Sequence, residues 1–209
     1  MDGYCERHDP SFWAEPVNAL TNAAFLVAAV LLARGLRRGR DRAPRDVSAL
    51  VVILAVIGVG SFLFHTLATG WAALADTLPI ALFMLGFVVV FVHRFAGVRP
   101  ARAWLAAPAF VLFAAVVAGA TAAMRLPGLY APALLALALI TAWLAVRRDP
   151  GRRPFAVATA LFAASLTLRQ LDGPLCPHWP LGTHFGWHVL NATVLYLLVR
   201  TTLRRSTSP

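Results

Sequence analysis

The stretch VSALVVILAVIGVGSFLFHTL, residues 47–67, decides the fold class. It contains no Asp, Glu, Lys or Arg over a length close to the roughly 20 residues that a helix needs to cross a bilayer. Ser61 and His65, near its end, stand four positions apart and therefore share one helix face. Ionisable side chains inside a membrane span are costly and usually functional, so this stretch predicts both a span and part of a site.

Six further apolar stretches accompany it, at roughly 16–36, 74–93, 101–122, 129–146, 154–171 and 183–203. Hydrophobic residues make up 59% of the chain and charged residues 13%, which is typical of a membrane protein. The connections between the stretches are short. We predict a single all-α domain over 1–209, an integral membrane bundle of seven transmembrane helices. It comprises an N-terminal segment 1–15 without the pattern of a cleavable signal, a bundle 16–203 and a tail 204–209.

The net charge of +10 follows from topology. All 19 basic residues are arginines, and 16 of them lie at alternate ends of the predicted spans, within 34–45, 94–102, 147–153 and 200–205. By the positive-inside rule, these loops and the C-terminus are cytoplasmic and the N-terminus is outside. Because the arginines mark the cytoplasmic ends of spans, they do not indicate a nucleic-acid partner.

On this topology, three histidines and one aspartate fall at the outer ends of spans. These are His65, Asp76, His184 and His188, all within roughly 10 Å of the outer boundary at 1.5 Å rise per residue. Three neutral imidazoles suit a catalytic zinc ion, because they leave a fourth position for water. The alternative is that each histidine only donates to a carbonyl within the bundle.

Two further side chains suit hydrolysis by a metal-bound water molecule. Asp76 can orient and deprotonate the water and then protonate the leaving group. Ser61 can donate a hydrogen bond to the oxyanion that develops. The alternatives are that Asp76 caps the third span and that Ser61 bonds a carbonyl of its own helix.

At these positions the chain resembles the alkaline ceramidase family of seven-span membrane hydrolases. The resemblance rests on Cys5-Glu6, Glu15-x-x-Asn18-x-x-x-Asn22, Gly60-Ser61-x-x-Phe64-His65, Asp76-x-x-Pro79 and His184-x-x-Trp187-His188. It implies hydrolysis of ceramide to a sphingoid base and a fatty acid, with zinc held by three histidines. Several such elements together in one seven-span chain are specific, whereas any one of them alone would be weak.

The resemblance also implies a calcium site built from the N-terminal segment. It carries over most directly to Glu6 and Glu15, and Asp9 and Asp2 are further candidates because calcium prefers oxygen ligands. The segment departs from the family pattern, since Gly3-Tyr4-Cys5-Glu6 replaces Asp-Trp-Cys-Glu. The alternative for the neighbouring Asn18 and Asn22 is that they hold helices together by hydrogen bonds.

The only two cysteines, Cys5 and Cys176, both fall on the predicted outer side. An oxidising compartment favours a disulfide between them, and two unpaired buried thiols are the alternative.

These observations predict a zinc-dependent membrane amidase that acts on ceramide or a related N-acyl lipid. The protein is expected to be multi-pass, with its active site towards the non-cytoplasmic side and a lipid substrate that enters from the bilayer. The alternative function is a non-enzymatic metal-binding receptor or transporter. A transporter needs polar sites along a pathway, whereas the inner halves of the predicted spans are almost wholly apolar.

Overall fold

The computed structural model describes residues 3–38, 44–124, 128 and 130–207, and within those ranges all regular structure is helical. The helices are α1 (Pro16–Thr21), α2 (Ala23–Arg38), α3 (Arg45–Leu67), α4 (Gly70–Ala96), α5 (Pro100–Ala103), α6 (Ala106–Ala123), α7 (Ala131–Val146), α8 (Arg152–Leu175) and α9 (His184–Thr207). Asn22 alone separates α1 from α2, and two residues separate α5 from α6. The described chain therefore forms seven rods that follow the seven predicted stretches.

The seven rods form a closed ring. Contacts run from α2 to α3, α4, α6, α7, α8 and α9 in turn, and α9 packs back against α2. In addition, α9 contacts α3 and α4 across the ring, and α1 lies against α3 and α9. Residues at the C-terminal end of α3 and the N-terminal end of α9 can therefore meet, although they are more than 100 positions apart.

The outer surface of the ring is apolar. Exposed side chains include Leu78 and Leu82 on α4 and Leu112 and Val116 on α6, and α6 buries none of its residues. Soluble proteins rarely expose apolar patches of this extent, whereas lipid accommodates them. Five rods are long and apolar enough to cross a membrane, namely Pro16–Arg37, Arg45–Leu67, Gly70–Ala96, Pro100–Ala123 and Arg152–Leu175. These are the helices of an integral membrane protein.

The two remaining rods differ from this standard for separate reasons. Helix α7 is apolar but has only 16 residues. Helix α9 has 24 residues, but His184, His188 and Asn191 in its first two turns, together with arginines near its end, reduce its mean hydropathy.

A two-residue connection between α3 and α4 positions one side of the site. Helix α3 ends at Leu67. Its C-cap, Ala68, has a left-handed backbone (φ 46°) and donates its N–H to the carbonyl of Phe64. Thr69 then forms the N-cap of α4, which begins at Gly70. The expected start of this span at 74 was therefore wrong, and so was the idea that Asp76 caps it. Asp76 lies in the second turn, level with the last turns of α3.

Two salt bridges lie at the end of the ring opposite to His65 and Asp76. Arg94 at the end of α4 forms a bidentate salt bridge with Asp46 at the start of α3, with N···O distances of 2.8 and 2.7 Å. Arg205 near the end of α9 pairs with Asp149 at 2.6 Å. The histidine-bearing helix ends and the arginine-bearing helix ends therefore lie at opposite ends of the bundle.

Candidate metal centre

Three histidines meet at one end of the bundle. His65 lies in the last turn of α3, and His184 and His188 lie one turn apart at the start of α9. One ring nitrogen from each lies within 4.8 Å of the other two, and all three residues are at most 2% exposed. Converging neutral imidazoles of this kind are the ligand set of catalytic zinc sites.

The ring of His65 is oriented by Glu15. Oε2 of this carboxylate lies 2.6 Å from Nδ1 of His65, and Glu15 is fully buried. An ionised carboxylate only accepts hydrogen bonds, so Nδ1 of His65 carries the hydrogen and the lone pair remains on Nε2. Carboxylates commonly orient metal-binding histidines in this way.

Thr21 orients His188 by a similar logic. Its single hydroxyl hydrogen is directed to the backbone carbonyls of Val17 and Asn18, at 2.8 and 3.0 Å. Towards Nδ1 of His188, 3.0 Å away, the Thr21 oxygen therefore acts as the acceptor. The hydrogen of His188 is then on Nδ1, and its Nε2 keeps a lone pair.

Two ring nitrogens of the clustered histidines have no protein partner among the described residues. Nε2 of His188 and Nδ1 of His184 are buried and lack a hydrogen-bond partner within the described residues. Unpaired buried polar atoms are costly, and they are rare in native structures. Two such atoms beside the oriented ring of His65 are explained if a metal ion binds there, so the residues fit zinc.

Tyr4 covers the ring of His184. The two rings stack with centroids 3.7 Å apart. Burial raises the pKa of Tyr4 to about 12, so the phenol keeps its proton at physiological pH. Its oxygen accepts a hydrogen bond of 3.3 Å from Arg169 on α8.

Asp76 and Ser61 lie side by side because α3 and α4 approach each other closely at Gly60. The carbonyl of Ala75 packs so closely against Gly60 that a Cβ atom on residue 60 would overlap the carbonyl oxygen. Pro79, inside α4, lacks the N–H that would bond this carbonyl, and a proline ring displaces the carbonyl four residues before it. The carboxyl group of Asp76 consequently interacts with the Ser61 side chain and with His65.

The disulfide and Asp172 fasten the N-terminal segment to the same end of the bundle. Cys5 and Cys176 are joined, with Cα atoms 5.3 Å apart. Asp172, which is 3% exposed, accepts hydrogen bonds from the backbone N–H groups of Cys5 (3.0 Å), Thr183 (2.7 Å) and His184 (2.9 Å). Asp172 thereby caps α9 at its first residue, which is one of the clustered histidines.

The structure does not support the calcium site. The two oxygens of Glu6 accept from the backbone N–H groups of Val17 and Asn18 at the start of α1. Asp9 is exposed and bonds Ser11, whose hydrogen bonds lower the pKa of Asp9. Asp2 lies outside the described residues. Among the described residues, these acidic side chains form no cluster with the geometry of a metal site.

Arginine supplies the positive charge beside Glu15. Nε of Arg7 lies 2.5 Å from Oε1 of Glu15, and both side chains are at most 1% exposed. A second guanidinium nitrogen of Arg7 donates to the backbone carbonyl of His65 at 2.9 Å. Asn18 also donates to Glu15, at 3.0 Å. The carboxylate that was expected to bind calcium is therefore engaged by Arg7, Asn18 and His65.

Five residues at this end were not predicted as site residues. They are Tyr4, Arg7, Thr21, Arg169 and Asp172. Each acts through partners far away in the sequence, such as His65 for Arg7 at a separation of 58 positions. The only signal in the sequence was the departure of Gly3-Tyr4-Cys5-Glu6 from the family pattern, and it indicated the N-terminal segment without indicating these contacts.

The comparisons with known proteins agree with the geometry. A family model described as Ceramidase matches residues 4–207, which is nearly the whole chain. No curated protein matches the sequence. With its match running from Tyr4 through the three histidines to the end of α9, the chain belongs to the ceramidase family.

Proposed function

We propose that this protein is a zinc-dependent membrane amidase that hydrolyses the N-acyl bond of ceramide or a related N-acyl lipid. One observation carries the proposal. Two buried imidazole nitrogens without protein partners stand beside an oriented third imidazole and an Asp76–Ser61 pair, in a member of the ceramidase family. A site that only stabilised the bundle would not need imidazole lone pairs directed away from protein donors.

His65, His184 and His188 would hold the metal ion. When bound, zinc would polarise the amide carbonyl and acidify a water molecule. Glu15 and Thr21 keep the rings of His65 and His188 in the tautomers that leave lone pairs for it. These orienting contacts lie on α1 and immediately before it, which gives the first short helix a role in the site.

Asp76 moves the proton in the proposed reaction. It takes a proton from the attacking water and delivers it to the nitrogen of the leaving amine, so that one water and one amide give a carboxylic acid and an amine. Ser61 donates its single hydroxyl hydrogen to the Asp76 carboxylate before the reaction, and to the oxyanion once Asp76 has taken up the proton. Both residues lie level with His65 in the wall formed by α3 and α4.

An apolar cavity within the bundle is the candidate site for the lipid chain. It extends between α4, α7 and α9, and its walls include Phe83, Leu137 and Trp187. Trp187 lies against Arg169, which donates to the Tyr4 hydroxyl, and Tyr4 covers His184, so this wall faces towards the histidine cluster. A lipid whose amide lies at the cluster could place an acyl chain among these apolar side chains.

The membrane arrangement is part of the proposal. Seven rods would cross the bilayer, including the shorter α7 and the more polar α9. With the arginine-bearing ends cytoplasmic, the N-terminus and the histidine cluster would face the non-cytoplasmic side. A disulfide at the cluster end supports this orientation, because such bonds persist in oxidising compartments.

The test is release of fatty acid from a panel of N-acyl lipids by purified protein in lipid nanodiscs. We expect Asp76→Asn to keep its metal and to lose turnover by roughly 10²-fold or more. Asp46→Asn is the matched control, because it removes a carboxylate paired with Arg94 at the opposite end. Undiminished turnover in metal-loaded Asp76→Asn would exclude Asp76 as the proton carrier. No release from any N-acyl lipid by the metal-loaded protein would favour the receptor or transporter alternative.

A further inference from the structure

Arg169 projects from α8 towards the histidine end of the bundle. Its guanidinium lies 5.1 Å from the ring centroid of Tyr130 and 5.5 Å from that of Trp187. It also donates to the hydroxyl of Tyr4 at 3.3 Å. Three aromatic side chains therefore hold this cation in place without neutralising it.

Two other arginines in buried or half-buried settings have carboxylate partners. Arg7 pairs with Glu15, and Arg94 pairs with Asp46. Arg169 is half-buried, yet among the described residues it makes no ion pair, and its one hydrogen bond is the long one to Tyr4. A guanidinium has five N–H donors, so most of its capacity remains available. Removing a cation from water without a counterion is costly, which suggests that a ligand supplies the anion.

The position of Arg169 indicates where that anion lies. Tyr130 and Trp187 also line the apolar cavity, and Tyr4 stacks on His184. Arg169 therefore stands between two residues of the cavity wall and the ring that covers His184. Its charge also acts on Asp76 across the site, although the two groups form no ion pair.

We propose that Arg169 binds a carboxylate of the lipid beside the metal centre. The inference rests on the proposed function, because amide hydrolysis creates a fatty-acid carboxylate at this point. The same chemistry would arise from a substrate whose amine part carries a carboxylate, as in an N-acyl amino acid. In either case the planar guanidinium, backed by aromatic rings, presents paired N–H donors to two carboxylate oxygens.

Equilibrium binding tests the site without turnover. The probes are a long-chain fatty acid and the fatty alcohol of the same length, measured against protein in nanodiscs. We expect Arg169→Gln to weaken fatty-acid binding by roughly 10- to 100-fold, the scale of a charge-assisted hydrogen bond, and to leave alcohol binding unchanged. Arg169→Lys should keep part of the preference for the fatty acid over the alcohol, because lysine keeps the positive charge but lacks the paired N–H donors of the guanidinium. Arg200→Gln is the matched control, since Arg200 also rests on a tyrosine ring but is exposed towards the other end of α9.

Equal affinity of wild type and Arg169→Gln for the fatty acid would overturn the proposal. An equal loss of affinity for the acid and the alcohol in Arg169→Gln would also overturn it, because that result means that the substitution has damaged the cavity. The source of the carboxylate follows from turnover of N-acylglycine and N-acylethanolamine of the same acyl length. If Arg169→Gln loses turnover of N-acylglycine alone, the carboxylate belongs to the amine part of the substrate. If fatty acid inhibits the hydrolysis of both substrates less strongly in Arg169→Gln than in wild type, the carboxylate is that of the product. A metal-loaded protein that hydrolyses no N-acyl lipid of the panel, ceramide included, but still prefers the acid through Arg169 would refute the proposed function alone.

Discussion

Replacing Gly60 with alanine tests the contact that brings Ser61 and Asp76 together. The added Cβ would overlap the carbonyl oxygen of Ala75, and it would lie 2.7 Å from the carbonyl carbon and 3.2 Å from the amide nitrogen of Asp76. Ordinary van der Waals contact begins near 3.4 Å. All three atoms belong to the backbone of α4, so no change of rotamer relieves the overlap. The two helices must therefore separate by roughly 1 Å here.

Two effects of different size follow from this separation. Overpacking of a helix interface costs about 1–3 kcal/mol, so the melting temperature should fall. Misplacing a catalytic group by about 1 Å can cost about 10²-fold in rate, so fatty-acid release should fall by about that factor. Metal content should change less than turnover. The three histidines belong to α3 and α9, whereas the overlap at Gly60 is with the backbone of α4.

The assay compares thermal unfolding by circular dichroism, zinc content and fatty-acid release for the same preparations. Gly119→Ala is the matched control, because Gly119 also lies inside a helix but a Cβ there meets nothing within 4 Å. The reasoning is refuted if Gly60→Ala unfolds at the same temperature as Gly119→Ala and retains full turnover. Reduced stability with unchanged turnover would show that the contact packs the helices without positioning Asp76.

Three further predictions concern the metal, the disulfide and the buried arginine. Purified protein should carry about one zinc per chain, and His188→Ala should lose it; full occupancy in that variant, measured by elemental analysis, would contradict the three-histidine site. Cys5→Ser opens a link to Cys176 across a separation of 171 residues, so the free energy of unfolding should fall by up to about 4–5 kcal/mol in denaturant titrations. An unchanged midpoint would assign the bond no stabilising role. Arg7→Ala leaves the buried carboxylate of Glu15 without its cation and should destabilise the protein by about 3–5 kcal/mol, while added Ca²⁺ should not raise the melting temperature of the wild type. A clear rise with Ca²⁺ would show that calcium binds after all.

The helices were predictable because a membrane span depends on local composition. About 20 apolar residues in sequence suffice to indicate a helix in lipid, and the rods follow the predicted stretches closely. The ends were less predictable, because they depend on single residues. Ala68 in a left-handed conformation and Thr69 as an N-cap start α4 earlier than the apolar pattern does, and this places Asp76 inside the helix.

Within the site, only the relations between residues close together in the sequence could be predicted. His184 and His188 are one turn apart, so their shared face could be deduced from the sequence. The role of Glu15 could not, because its local spacing with Asn18 suggested a polar stripe with oxygen ligands, whereas its decisive partner, His65, is 50 positions away. Arg7 makes the same point, since a basic residue in an acidic segment gives no local sign that it neutralises a buried carboxylate.

Four consecutive residues of the N-terminal segment connect the helices that build the metal centre. Tyr4 reaches α9 and α8, Cys5 is bonded to the end of α8, Glu6 caps α1, and Arg7 reaches α3. The orientation of the histidine rings thus depends on contacts between chain segments that meet only in the folded state. A metal ion that bound this arrangement and not the unfolded chain would add its binding free energy to folding stability. We therefore expect zinc and the disulfide to stabilise the same end of the bundle. Removing both should destabilise the protein by less than the sum of their separate effects, because the loss of either one already removes the part of the stability that depends on both.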